Sequence, residues 1–381
     1  MRSGSGEREF MATQRHSCGG SAGRAAHRHA GADQPARRGI DIDAVQTPLG
    51  HRRVITEDKP GSPFHGLVSF RLAGTGPRRR VLLVPPLSGH FPLLMRDVVL
   101  GLLPDFDVSL MDWTNVRHVP LRYGGFGFDD NIRAIEGAIR DLGPDLSVLA
   151  LCQGGVPALA ATARLAETDA PRAPAALALM AAPIDPLANP TAVVRLIRRF
   201  PMAWFRTVPL QRVPRGFAGQ GRSVYPAHAQ LAALQTYLAR QRETGGELAR
   251  KMARDDGAEP ACAPFDDLYT SVMDIEGRHY VENIERVFHA RDLARGRLVC
   301  GGATVRPEAI AATSLMTIEG ARDDIAAPGQ TAAALDLCPA IPETRLARLV
   351  VPDCGHFGLF HGEPWRSRVL PEVRAFLTRR E

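Results

Sequence analysis

Residues 147–161 read SVLALCQGGVPALAA. An apolar run ends at Cys152, Gln153-Gly154-Gly155 follows, and VPALAATARLA then carries the spacing of a helix. A buried strand, a sharp turn and a helix form the arrangement that lifts a nucleophile to the tip of a strained turn. Small residues stand where such a turn crowds the backbone, with Ala150 two before the cysteine and Gly154 two after it. The usual pattern is G-x-S-x-G; here it is A-x-C-x-G, with a thiol in place of the hydroxyl. A free thiol is only a few per cent thiolate at neutral pH, but a helix N-terminus and a neighbouring histidine both favour the anion. The competing reading of this stretch alone is a buried, inert cysteine, since cysteine is among the most buried residue types.

The surrounding composition narrows the choice. The chain has 381 residues, 45% hydrophobic and 23% charged, enough for one large domain with an insertion or for two domains. The net charge of +6 comes from basic residues that are nearly all arginine, some of them in the first fifty positions. With few clustered aromatics and no Cys/His ligand spacing, neither a nucleic-acid partner nor a bound metal is expected, and no cofactor motif is present. The six cysteines (Cys18, Cys152, Cys262, Cys300, Cys338, Cys354) are too scattered for a disulfide framework and suit a reducing compartment. His16 and Cys18 lack a second ligand pair. No apolar run reaches the about 18 residues of a transmembrane helix. No secretory signal is visible at the N-terminus, and Arg37-Arg38 is followed by GIDID rather than an apolar segment. Residues 1–44 are Gly, Ser, Ala, Arg and His without periodicity and are expected to form a disordered basic tail.

Beyond the tail, strands and helices alternate. PFHGLVSFRLAG reads as an early strand, and residues 81–85 as a buried strand ended by Pro-Pro. FPLLMRDVVLGLL is helical, FDVSLMDW is a strand, and GFDDNIRAIEGAIRDLG is a helix with Asp129 or Asp130 near its N-cap. After the elbow, AALALMAAPID is another buried strand. Such alternation predicts a mostly parallel, doubly wound sheet, an α/β class. It stops after Asp185. Residues 190–295 read as a mainly helical cap inserted between a first core part, 45–189, and a second, 296–381, where SLMTIEG and RLARLVV resume the sheet.

The resumed strands end in chemistry. The first runs into Gly320-Ala321-Arg322-Asp323-Asp324-Ile325, and the second into Cys354-Gly355-His356-Phe357. Nucleophile, acid, histidine, each just past a strand, is the chain order of the α/β-hydrolase fold. The loop Pro86-Leu87-Ser88-Gly89-His90 falls where that fold places its first oxyanion donor, so the backbone N–H of Gln153 and one from Leu87 or Ser88 are the candidate donors. Taken singly, Asp323 could be a helix cap and His356 a satisfied loop histidine; the residues alone leave Asp323 and Asp324 both open as the acid.

These motifs resemble the intracellular polyhydroxyalkanoate (poly-3-hydroxybutyrate) depolymerases over roughly residues 50–380. The resemblance rests on VLLVPPLSGHFPLLMRDVV, VSLMDWTNVRHVPLRYGGFGFDDNI, LCQGGVPALAA, AAPIDPLANPTAV, GQGRSVYPAHAQL, FDDLYTSVMDIEGRHYVENIERVFH, TIEGARDDIAAPGQTAAALDLC and PDCGHFGLFHG. It implies an α/β-hydrolase with a cysteine nucleophile acting on the esters of stored 3-hydroxyalkanoate polymer or its oligomers, in the cytoplasm at the granule surface. The triad roles fall on Cys152, Asp323 and His356. Related polymer synthases read Asp-His-Ile where this chain reads Asp323-Asp324-Ile325, which favours Asp323. The Cys152-Gln153-Gly154-Gly155 turn departs toward those synthases, so a 3-hydroxyacyl transferase or thioesterase is the alternative within the enzymes, and a non-catalytic granule-surface protein the alternative outside them. His90, Trp204 and Phe205 are expected to touch substrate, with Trp204 and Phe205 in a cap patch that meets the granule; Tyr225, Tyr237, Phe265, Tyr269 and Tyr280 are its other aromatics.

Overall fold

The computed structural model describes residues 40, 42–90, 92–254 and 269–379. Nine strands build one sheet in the order β1-β2-β3-β5-β4-β6-β7-β13-β14. Three antiparallel strands form one edge: β1 (Ala44–Thr47), β2 (Gly50–Ser62) and β3 (His65–Leu72). Next come β4 (Arg80–Val84), β5 (Asp107–Trp113), β6 (Leu146–Leu151) and β7 (Ala176–Met180). β13 (Ser314–Gly320) and β14 (Leu346–Val351) complete the sheet. From β5 to β14 every pairing is parallel. The central strands are continuous apolar runs because helices cover both faces: β6 and β7 are buried at every position. Helices α1 (Arg96–Leu102), α2 (Phe128–Leu142) and α3 (Gly155–Thr168) make the crossovers. Gly127 is the N-cap of α2, and Asp130 accepts from its N–H at 2.8 Å.

One boundary differs from the sequence expectation. Most of the expected tail, 1–39 and 41, lies outside the described residues, but Ile40 and Ile42 are buried in the core. Two isoleucines and the start of β1 therefore belong to the folded domain, which begins before position 44. The sheet is interrupted between β7, which ends at Met180, and β13, which begins at Ser314.

The interruption is not purely helical. It holds α4 (Ala192–Arg199), α5 (Met202–Thr207), α6 (Ala227–Thr244), α7 (Glu247–Arg254) and α8 (Gly277–Asn283). It also holds a small antiparallel sheet of β8 (Gln211–Arg212), β9 (Ser223–Tyr225) and β10 (Ile275–Glu276), and a hairpin of β11 (Val299–Cys300) and β12 (Ala303–Thr304). Strands of two or three residues carry no periodicity to read. Polar contacts fasten this insertion to the sheet domain. The Arg222 guanidinium, 2% exposed, donates to the carbonyls of Val119, Pro120 and Gly124 and lies 3.7 Å from Glu276. Arg117 donates to both oxygens of buried Asp274, which also accepts from the N–H of Ala227.

Candidate active site

The strand ends lie side by side. Val84 of β4 is in register with Ala150 of β6, Leu151 with Met180 of β7, Ile318 of β13 with Met180, and Gly320 with Val351 of β14. β4 has β5 on one side and β6 on the other, so the crossovers reverse there, where open α/β sheets form their crevice.

Cys152 follows β6 with φ of 51°, the left-handed region that non-glycine residues rarely occupy. A short 3₁₀ turn, Cys152–Gly154, leads into α3. A Cβ on Gly154 would stand 2.8 Å from the Val84 carbonyl and 2.9 Å from that of Pro85. The turn thus presses against the end of β4, and only glycine fits. The strain at Cys152 leaves the thiol half-buried at the crevice.

Asp323 and His356 meet there. His356 Nδ1 is 2.7 Å from Asp323 Oδ2, while Asp323 Oδ1 accepts the N–H groups of Ile325 and Ala326, each at 2.8 Å. Every lone-pair direction that matters for holding the imidazole is therefore fixed. The two loops are also joined by the N–H of Arg322 donating to the Cys354 carbonyl. Burial alone would lower the His356 imidazole; the Asp323 charge, its hydrogen bond and the nearby Cys152 sulfur hold it well above its ordinary value. Asp324 points elsewhere: it is exposed and accepts from Tyr237 Oη at 2.5 Å and Gln241 Nε2 at 2.7 Å.

The other expected residues divide. Leu87 is buried and Ser88 half-buried in the loop after β4, beside the elbow. Gln153 is held by its side chain, which accepts from Asn283 of α8 at 3.2 Å. His90 packs beside Tyr269, hydrogen-bonded to its carbonyl at 3.0 Å, and burial pushes its imidazole down to about 4. Trp204 and Phe205 pack against each other and against neighbouring rings of the insertion. Phe205 is 4% exposed, and Trp204 is half-buried against Phe200 and Phe205. Phe205 also meets Tyr280 and His289. A buried ring cannot form a docking patch, so the expected contact at Phe205 is corrected: it packs the insertion. Phe265 lies outside the described residues.

Residues the sequence did not single out complete the surroundings. Gln230 of α6 sits so close to Gly89 that a Cβ there would overlap its Oε1, and the Met273 N–H donates to the Gly89 carbonyl. His279 of α8 stacks on Phe128 with 15° between the rings, and burial pushes it down to about 4 against the backbone of Gly127 and Leu87. His279 and Asn283 fall inside GRHYVEN, and Gln230 inside GQGRSVYPAHAQL, both stretches carrying the family resemblance, so a signal for all three existed. Among the described residues no Cys, His, Asp and Glu cluster could hold a metal, and no helix is long and apolar enough to cross a membrane.

Sheet, elbow and strand-end loops define an α/β-hydrolase. Cfl2 from Burkholderia cenocepacia has a similar structure, with TM-score 0.50 and 16% identity over 88% of this chain and 99% of that one; the likeness is one of fold. A thermophilic esterase from Thermogutta terrifontis (TM-score 0.46, 16% identity, 88% and 97% covered) and the enol-lactonase from Burkholderia xenovorans LB400 (0.48, 16%, 88% and 100%) are also similar. No curated protein matches the sequence. Residues 181–381 match the family described as "PHB de-polymerase C-terminus". The chain belongs to that family and is an ester hydrolase. The matched stretch holds Asp323 and His356 and begins after the elbow.

Proposed function

We propose that the protein hydrolyses the ester bonds of poly-3-hydroxybutyrate or its oligomers through Cys152, His356 and Asp323. The observation that carries this reading is the His356 imidazole held by the Asp323 carboxylate at 2.7 Å, at the strand ends where the strained, half-buried Cys152 stands. The Cys152 thiolate attacks the ester carbonyl, and the oxyanion is met by the N–H of Gln153 and one from Leu87 or Ser88. The His356 imidazolium then gives its proton to the departing hydroxyl, leaving an acyl-thioester on Cys152. His356 next takes a proton from water, which attacks the thioester, releases the acid and restores the thiol–imidazole pair. Asp323 holds the ring tautomer and stabilises the imidazolium without taking the proton itself. Losing one oxyanion donor costs roughly 3 kcal/mol of barrier. The polymer granule in the cytoplasm is the setting this substrate requires.

The same thioester serves acyl transfer, so the test must compare acceptors. Monomer release from amorphous polymer and from short 3-hydroxybutyrate oligomers is measured beside free-thiol release from 3-hydroxybutyryl-coenzyme A. The reading expects monomer release, abolished in Cys152→Ala. Thiol release without monomer would move the activity to a transferase or thioesterase. Granule binding with neither release would make the chain a surface protein.

A further inference from the structure

We propose that Glu247, the first residue of α7, is a positioning residue that holds the His356 loop and so ties the geometry of the histidine to the insertion. The inference rests on the role given to His356 above. The seat is built from two glycines that bracket the histidine, Gly355 just before it and Gly358 two after. A Cβ on Gly355 would stand 2.3 Å from Glu247 Oε2 and 3.0 Å from its Cδ. A Cβ on Gly358 would stand 2.3 Å from Glu247 Oε1. Each carboxylate oxygen therefore rests on one bare glycine Cα, and the two glycines are the space the carboxylate occupies. Gly355 has no positive φ, so backbone conformation does not demand glycine there. The approach of Glu247 does.

The charge balance agrees with the geometry. Burial raises the Glu247 carboxyl from its ordinary value, and Lys251, the backbone N–H groups of Gly355 and Gly358, and His356 all act against that rise. Lys251, one turn further along α7, is buried and donates to the His361 carbonyl at 2.9 Å, beyond the same loop. Cys354, whose thiol burial and then Glu247 push up to about 12, lines the seat as a neutral group. Thus α7 delivers a carboxylate and an ammonium to the two ends of the segment 355–361. Asp323 orients the imidazole ring; Glu247 locates the backbone from which the ring hangs.

The test reads the rate at which iodoacetamide alkylates Cys152 at neutral pH, located by peptide mass, which needs no knowledge of the ester substrate. Glu247→Ala is expected to slow this reaction about tenfold, because an ångström of misplacement in a reacting pair is worth one to two orders of magnitude. Gly355→Ala should slow it about as much in the native background, and by less than about twofold when added to Glu247→Ala, since the obstructing carboxylate is gone. Glu247→Gln keeps the shape but turns an N–H₂ toward a glycine N–H, and should slow alkylation about threefold; it replaces Glu247→Ala if that variant does not fold. The inference is overturned if the Glu247 variants fold and alkylate at the native rate while His356→Ala does not. It is equally overturned if Gly355→Ala costs the same factor in both backgrounds. An alkylation rate that His356→Ala leaves unchanged would instead remove the proposed triad, and this inference with it.

Discussion

The strand-end site and the insertion that covers it are built on opposite terms. The site hangs from β6, β13 and β14, whose positions are set by parallel registers, with β6 and β13 buried between apolar layers and β14 paired along the edge. The insertion is fastened to the sheet domain by polar groups removed from water: Arg222 on three carbonyls, Asp274 between Arg117 and Ala227, Gln230 at Gly89, and Glu247 at Gly355 and Gly358. An apolar sheet tolerates many sequences of similar volume. A buried ion does not tolerate loss of its partner. The insertion therefore has the more brittle attachment, and its polar contacts reach all three loops of the site, including Asn283 on Gln153 at the elbow.

The largest contrast expected lies between neighbours on one loop. Asp323→Asn should lower the rate by about 10⁴-fold, the usual consequence of holding a catalytic histidine in the wrong tautomer. Asp324→Asn should change the rate little and instead loosen Tyr237 and Gln241 of α6, seen as a small fall in Tm. Equal effects on rate would erase the distinction between a site acid and an insertion anchor.

Stability separates the regions next. Arg222→Ala removes a buried guanidinium from three carbonyls and from beside Glu276, and about 3–5 kcal/mol of unfolding free energy should be lost. Phe205→Ser should cost about 3–5 kcal/mol as a buried ring, with ester hydrolysis and polymer binding falling together. Trp204→Ser, at a half-buried ring, should cost less. A Phe205 variant that kept its Tm and lost only polymer binding would restore the docking patch that the packing argues against.

pH sharpens the comparison because His356 of the site and His279 of the insertion are shifted in opposite directions, His90 adding to the acid side. His356 has a folded value raised above 6.5, so its contribution to stability is fully present below that ordinary value and is lost as the pH rises through the higher folded one. His279, lowered from 6.5 to about 4, contributes above 6.5 and loses about 3 kcal/mol as the pH falls toward its folded value. Chemical denaturation against pH should therefore show an acid limb flattened by His279→Leu, and an alkaline limb flattened by His356→Gln. Limbs unchanged by either substitution would contradict these assignments.

The same contrast explains what the sequence made legible. β4, β6 and β7 are mostly apolar runs ending at turn residues, and β13 and β14 are shorter apolar patterns ending the same way, so their order and the crevice at their ends could be read directly. Cys152, Asp323 and His356 could be singled out because each lies just past such a strand. β2 was missed: GHRRVITEDKPGS is mostly exposed, and it tolerates Pro60 only because the pairing is irregular between Pro60 and Ser62 near its end. The small sheet β8–β10 was too short to show alternation. Glu247 and Gln230 look like ordinary polar residues of exposed helices, since a buried polar contact to a distant glycine leaves no periodic trace. Phe205 was misplaced because an aromatic ring has the same composition in a core as on a docking surface.

The most direct test of the central claim is rapid quenching of the protein during turnover of a 3-hydroxybutyrate oligomer, followed by peptide mass analysis. The account predicts one 3-hydroxyacyl group on the peptide containing Cys152, absent in Cys152→Ala, with monomer release in that variant lowered by about 10⁴-fold or more. Monomer release at the native rate from Cys152→Ala, with no acyl group on that peptide, would contradict it.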